Sequence, residues 1–314
     1  RNCGPNPLIA RRLLGMFFPT QWSARDPKVL DWKALVKLSR PGWWLVTIWL
    51  YLAPTGGRYD LLASLPFWCG LVYALFPLNL LVYGLNDYTD IAIDAANDRK
   101  GNFMYGAKCT PEQLRTLPQI IVVFMVGGAT GLALLTGKYV EMVQWLVLCF
   151  SVNLAYNVEP FRLSSKGPFE LPCVVAGFAG CTWLGIIVND VPTCSTGFWA
   201  HLTCLVLRTQ IWTELLDYAP DAACGRRTTS TLVGERASQV LVVLLLFMEV
   251  LVTFYFFDDW LMRLFSVLGL VVFIGLELVK GTSDREKKTA MKMQNAVGLS
   301  LVLWIWHKAI FAGR

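Results

Sequence analysis

Two short stretches carry acidic residues at a spacing that suits a divalent cation. The first reads Asn86-Asp87-Tyr88-Thr89-Asp90-Ile91-Ala92-Ile93-Asp94, and the second Glu214-Leu215-Leu216-Asp217-Tyr218-Ala219-Pro220-Asp221. Displaced by 127 residues they coincide: Asp87, Asp90 and Asp94 fall on Glu214, Asp217 and Asp221, while Arg99 and Lys100 fall on Arg226 and Arg227. If each runs as a helix, Asn86, Asp90 and Asp94 share one face, and Glu214, Asp217 and Asp221 share another. Carboxylate and amide oxygens, with no imidazole or thiolate, are the donors of a hard cation, and Mg2+ typically takes one or two carboxylates together with phosphate oxygens. The expectation is a diphosphate clamp. Asn86, Asp90, Asp94, Glu214, Asp217 and Asp221 hold the metal, Asp87 joins the aspartates as a catalytic group, and Arg99, Lys100, Arg226 and Arg227 contact the diphosphate. Solvated loop ends whose Asp and Asn merely cap helices are the alternative, which explains neither the register nor the shared bases.

A third polar region, Tyr156-Asn157-Val158-Glu159-Pro160-Phe161-Arg162-Leu163-Ser164-Ser165-Lys166, offers Arg162 and Lys166 as a lid over the same ligand. A basic loop with no ligand fits that segment nearly as well.

The elements that must position these groups are membrane helices. The 314 residues are 55% hydrophobic and 16% charged, with a mean hydropathy of +0.49, outside the range of soluble domains. Charge-free stretches recur at 41–57, 61–86, 116–137, 142–158, 171–189, 191–207, 237–257, 264–276 and 293–306. The shorter ones reach the ~20 residues of a span by running past a charge such as Arg208 or Glu277. Nine spans are expected, the acidic clusters ending the second and the sixth, so the repeating unit is four helices with one left over. Such a repeat would face both acidic ends across one cavity.

The net charge of +6 is placed by topology. With alternating spans, most Lys and Arg gather in the N-terminal segment and the even-numbered loops, the positive-inside pattern, which puts the N-terminus and both acidic ends inside. Nucleic acid is excluded as a partner. Residues 1–32 mix bases with Leu, Met, Phe and Trp and read as an interfacial segment on membrane lipid, ahead of a nine-helix domain over 33–314. The chain opens on Arg1, which leaves room for an upstream targeting segment and leaves the organelle unread. The nine cysteines show no ligand spacing. His201 and His307 stand apart from any nucleophile.

At the acidic stretches the chain resembles the UbiA superfamily of intramembrane prenyltransferases. Asn86, Asp87, Asp90 and Asp94 match its first signature, and Asp217 and Asp221, followed by Gly225, Thr228 and Gly234, match its second. Tyr156 to Lys166 resembles the family's loop after helix four, and Ser39-Arg40-Pro41 its entry to helix one. The resemblance implies an all-α membrane protein with nine helices in a ring around a central cavity that opens sideways to lipid. It further implies Mg2+ as cofactor, a prenyl diphosphate as substrate, and Arg40 and Tyr156 among the substrate-binding residues. Where aromatic-acid members carry an Arg-Pro element, this chain has Asn97-Asp98-Arg99-Lys100-Gly101, closer to the members that alkylate carotenoids. Transfer of the prenyl group to a lipophilic acceptor is therefore expected, with a terpene cyclase on the same scaffold as the alternative. A secondary transporter fits less well, because transporter sites lie near the midplane on interrupted helices, whereas both clusters here sit at span ends on one side.

Overall fold

The computed structural model describes residues 30–91, 100–279 and 298–313, and every regular element among them is helical. The chain divides into two compact units, Arg1–Ile48 with Leu65–Arg162, and Trp49–Ser64 with Leu163–Arg314.

In the first unit, helix α1 (Trp32–Leu38) opens on Asp31, whose side chain accepts from Ala34 N–H at 2.6 Å, satisfying an amide the helix cannot. Arg40 then takes a left-handed conformation with φ 48° before a 3-10 turn at Pro41–Trp43, and α2 (Trp44–Leu52) follows, its residues from Trp49 onward counted in the second unit. Helix α3 (Leu65–Thr89) is long and apolar, with Pro77 inside it. A proline there removes one amide and crowds the carbonyl four residues back, and the helix widens into π-helical turns at Ala74–Leu78 and Leu80–Gly84. Buried Asn79 bridges the opening. Its Nδ2 donates to Leu75 O at 3.0 Å, and it exchanges hydrogen bonds of 3.0 and 3.1 Å with Thr47 of α2. The last residues of α3, Leu85–Thr89, return to α-helix and carry the start of the first acidic motif, Asn86 and Asp87. Helix α4 (Pro111–Thr136) starts on a reciprocal cap between Thr110 and Gln113, and α5 (Tyr139–Asn157) brings the chain back. Tyr73 ties α3 to α4 by donating to Met125 O at 2.7 Å, over a gap that Gly128 leaves open.

The second unit holds α6 (Glu170–Asn189), α7 (Thr196–Leu216), α8 (Tyr218–Ala223), α9 (Thr229–Val233) and α10 (Glu235–Phe256), then α11 (Trp260–Leu278) and α12 (Gly298–His307). Ser195 and Asp259 cap α7 and α11 by accepting from Phe198 N–H at 3.3 Å and Met262 N–H at 2.8 Å. Close approach relies on small residues, as is usual where lipid gives no hydrophobic drive between helices: a Cβ on Gly185 would strike Tyr51 O, and one on Gly197 would strike Phe256. Arg208, midway along α7, is buried with its Nε donating to Glu249 Oε1 of α10 at 2.6 Å, its guanidinium 5.4 Å from the Phe273 ring centroid. One turn on, Trp212 Nε1 donates to Glu277 Oε1 at 2.9 Å.

Helices α3, α4, α5, α6, α10 and α11, six in all, are long and apolar enough to cross a membrane, and they fall on six of the nine expected stretches. Helix α7 has 21 residues and runs straight past Arg208, whose charge has found a partner. The stretch 41–57 is broken into two 3-10 turns around α2, and the start of 293–306 lies outside the described residues. Among the described residues, six of the nine expected spans are thus carried by helices of sufficient length and apolarity. All but the last three residues of the 1–32 segment also lie outside the described residues.

Removing one partner of a buried ion pair strands the other and costs about 3–5 kcal/mol, whereas replacing both by apolar groups of similar size is often neutral. Glu249→Ala should therefore lower the melting temperature of the detergent-purified protein, and Arg208→Met combined with Glu249→Leu should restore it. Thermal unfolding followed by tryptophan fluorescence measures both.

Candidate functional site

The first acidic motif closes α3 on a set of paired charges. Asp87 is 3% exposed, and its Oδ1 accepts from Arg40 Nη2 at 2.6 Å and from Lys100 Nζ at 2.5 Å. Its Oδ2 lies against Gly106, where φ is +92° and an added Cβ would collide with it, so a side chain at 106 is opposed by backbone and space together. The left-handed turn at Arg40 aims its guanidinium at Asp87 and lays it 4.8 Å from the Tyr83 ring centroid. Asp90, also buried, ends the helix. Arg162 Nη2 donates to its Oδ1 at 2.9 Å and Asn86 Nδ2 to its Oδ2 at 3.2 Å. Asn86 Nδ2 also donates to Asn157 Oδ1 at 3.1 Å, and Asn157 is fixed by donating to Asn153 O at 3.0 Å.

The second motif straddles a break. Helix α7 stops at Leu216, Asp217 caps it, and Asp221 lies in α8. Asp221 is buried with Arg226 Nη1 at 3.7 Å from its Oδ1, and Arg226 N–H donates to Asp221 O at 2.9 Å. The expected single helical face over Glu214, Asp217 and Asp221 is thus replaced by a corner: Pro220 sits in the first turn after the break, where its missing amide costs nothing. The first motif behaves alike, since α3 ends at Thr89 and Asp90 is its cap. Both changes bring backbone termini to the carboxylates, which pure periodicity does not anticipate.

Asn86, Asp87, Asp90, Arg40, Lys100 and Arg162 gather at one end of the first unit, with Tyr156 half-buried beside Asn157. Glu214, Asp217, Asp221, Arg226, Arg227 and Lys166 gather in the second, where Lys166 and Arg227 form a backbone bridge. Asp94 and Arg99 lie outside the described residues. Glu214, expected among the metal ligands, has both oxygens engaged by protein donors: Gln210 Nε2 at 2.9 Å and Ser230 N–H at 3.0 Å. Asn153, Asn157 and Glu170 belong to the same polar ends and were not foreseen as site residues. The two asparagines are polar residues four apart on an apolar helix, a signal in the sequence. Glu170 looks like an ordinary acid in a first helical turn.

Among the described residues no three His, Cys, Asp or Glu converge. Each motif offers carboxylate oxygens beside a guanidinium instead, the donor set of an ion that completes its shell with phosphate and water. The residues present fit Mg2+ on those terms.

Residues 43–304 match the model of the UbiA prenyltransferase family. A lycopene elongase/hydratase of Haloferax volcanii is 28% identical over 217 residues, 64% of this chain and 65% of the relative. Another of the same name, from Corynebacterium glutamicum, is 26% identical over 230 residues, 68% of this chain and 75% of the relative. The chain therefore spans just under two thirds of the first and three quarters of the second. Among solved structures, a UbiA homologue from Archaeoglobus fulgidus bound to DMAPP and Mg2+ superposes with a TM-score of 0.64 at 15% identity, covering 88% of this chain and 99% of that one. The same homologue bound to GPP and Mg2+ gives 0.63 at 16%, with the same coverage. At that identity the likeness speaks to the fold alone.

Beside Asp87 lies a small cavity lined by Lys100, Lys108, Cys109 and apolar neighbours. Burial, followed by the charges of Asp87 and Asp31, pushes the Cys109 thiol up to about 11. The reactive thiolate is therefore scarce at neutral pH and grows as pH rises toward that value. Asp87→Asn removes a charge that holds the proton on, so it should speed iodoacetamide labelling of Cys109 at pH 8. Peptide mass spectrometry measures the rate, and an unchanged rate would show that Asp87 does not govern this corner.

Proposed function

Because the chain belongs to the UbiA prenyltransferase family, we propose that it ionises a prenyl diphosphate with Mg2+ and joins the prenyl group to a lipophilic acceptor drawn from the membrane. The observation that carries this reading is that one acid-and-base pattern recurs at two helix ends, each already holding a guanidinium: Arg162 on Asp90 and Arg226 beside Asp221.

Mg2+ held by Asn86, Asp90 and Asp94 of one motif and Asp217 and Asp221 of the other supplies charge neutralisation at the diphosphate oxygens. The chain's own bases do the rest of the binding. Arg162 and Arg226 exchange their carboxylates for phosphate oxygens, with Lys166, Arg227 and Arg99 adding charge. Arg40 and Lys100 remain on Asp87 and add positive potential where the ligand's charge arrives. Cleavage of the C–O bond releases diphosphate and leaves an allylic cation. Electrostatic groups fixed before the reaction stabilise the charge that develops on the leaving oxygen. The cation then takes an electron pair from the acceptor, forming the new C–C bond, and the product loses a proton. Apolar helix walls keep water from competing. The full reading is of nine spans, with both acidic ends and the N-terminus on the positive-inside face. The names of the two relatives favour an apolar polyene as acceptor.

Purified protein given dimethylallyl or geranyl diphosphate and Mg2+ should release little diphosphate alone, and much more when a lycopene-containing lipid extract is added, with a prenylated product visible by mass spectrometry. EDTA, or any one of Asp90→Ala, Asp217→Ala and Asp221→Ala, should abolish turnover while leaving the protein monodisperse in detergent. Full turnover in EDTA would remove the metal from the reading, and failure with every acceptor tried would remove the transfer.

A further inference from the structure

The start of α9 is gripped by carboxylates from two other helices. Thr229 N–H donates to Glu170 Oε1 at 2.7 Å, and the Thr229 hydroxyl donates to the same oxygen. Ser230 N–H donates to Glu214 Oε2 at 3.0 Å, and the next amide, Thr231 N–H, donates to Thr228 Oγ1 at 3.2 Å. Every amide of the first turn of this five-residue helix thus has an acceptor of its own. Glu170 has no exposed surface and Glu214 has 5%. Burying carboxylates this deeply is costly unless strong donors hold them, so the arrangement calls for a purpose beyond capping one short helix.

What hangs from that helix supplies one. Thr231 Oγ1 donates to Arg226 O at 2.8 Å, Arg226 Nε donates to Ser164 O at 3.2 Å, and Gly167 N–H donates to Arg227 O at 2.7 Å. Gly167 packs so tightly on the backbone of Thr228 and Thr229 that a Cβ would collide with both. The segment bearing Lys166 and the segment bearing Arg226 and Arg227 are therefore one corner, seated on the α9 start that Glu170 and Glu214 hold. Glu214 is also the repeat counterpart of Asp87, and Asp87 too is held by protein donors, Arg40 and Lys100, both on its Oδ1. In both copies the first acid of the motif is taken up inside the protein.

We infer that Glu170 and Glu214 are positioning residues, a carboxylate pair that fixes Lys166, Arg226 and Arg227 for the diphosphate, and that Glu214 is not a metal ligand. The inference rests on the diphosphate reading of the site. Its test reads binding directly in the full chain, with Mn2+ in place of Mg2+, counted by electron paramagnetic resonance, and dimethylallyl thiolodiphosphate as a non-ionising probe. Glu170→Ala and Glu214→Ala should weaken the probe by about tenfold or more, and Glu170→Gln and Glu214→Gln, which keep an acceptor but lose charge assistance, by about fivefold. Mn2+ affinity measured without the probe should stay within about twofold in all four, whereas Asp221→Ala should lose it by at least about tenfold. If the alanine variants do not purify, the glutamine pair decides. Loss of Mn2+ in Glu214→Gln to the extent seen in Asp221→Ala, or probe affinity equal to the unaltered protein in both glutamine variants, would overturn the inference alone. Failure of the unaltered protein to bind either ligand would overturn the diphosphate reading with it.

Discussion

A carboxylate set at the end of a helix bounded by hydrocarbon has to be held by other charges or by amides, because water reaches it poorly. Asp87 meets this demand with two cations on one oxygen, Asp90 with Arg162 and Asn86, and Glu214 with a backbone amide and Gln210. Two of these partners, Arg40 and Arg162, come from 47 and 72 residues away, so satisfying the acids also determines where the loops go. Arg40 pulls the turn before α2 onto α3, and Lys100 pulls in the segment that follows the first motif. Glu170 and Glu214 fasten the α9 corner in the second unit. The polar ends organise the apolar helices as much as the helices carry the polar ends.

The two copies of the motif answer one demand with different chemistry. At equivalent positions, Asp87 is paired with side-chain cations, whereas Glu214, one methylene longer, reaches the Ser230 amide at a neighbouring helix start. The spacing is the same in both copies while its supports differ. Each motif also has a buried Asp within reach of a guanidinium, Asp90 of Arg162 and Asp221 of Arg226, at positions that are not counterparts in the repeat.

Much of this was legible in the sequence because it is local or periodic. Charge-free runs mark helices, and the 127-residue offset marks the repeated acids and bases. The helix break at Asp217 was not legible, since acidic spacing looks the same on a continuous helix and on a corner, and Pro220 fits either just inside a start or just past an end. Glu170 was invisible for a different reason. Its partner, Thr229, is 59 residues away, and nothing in the composition of either segment advertises the other. The π-helical turns of α3 were foreshadowed by Pro77, but a proline within a helix can equally produce a plain kink.

Those turns have a consequence for how such chains compare with one another. A π-helical turn accommodates an additional residue without lengthening the rungs on either side, and it rotates everything beyond it by a fraction of a turn. In α3 the two successive π turns lie between Tyr73 and Leu85, immediately upstream of Asn86. A descendant losing one residue in that interval would keep its apolar character and its length almost intact, yet would swing Asn86, Asp87 and Asp90 to a new azimuth. Insertions and deletions there are therefore expected to be rare even where individual side chains drift freely, so that alignment gaps, more than substitutions, would report a changed site.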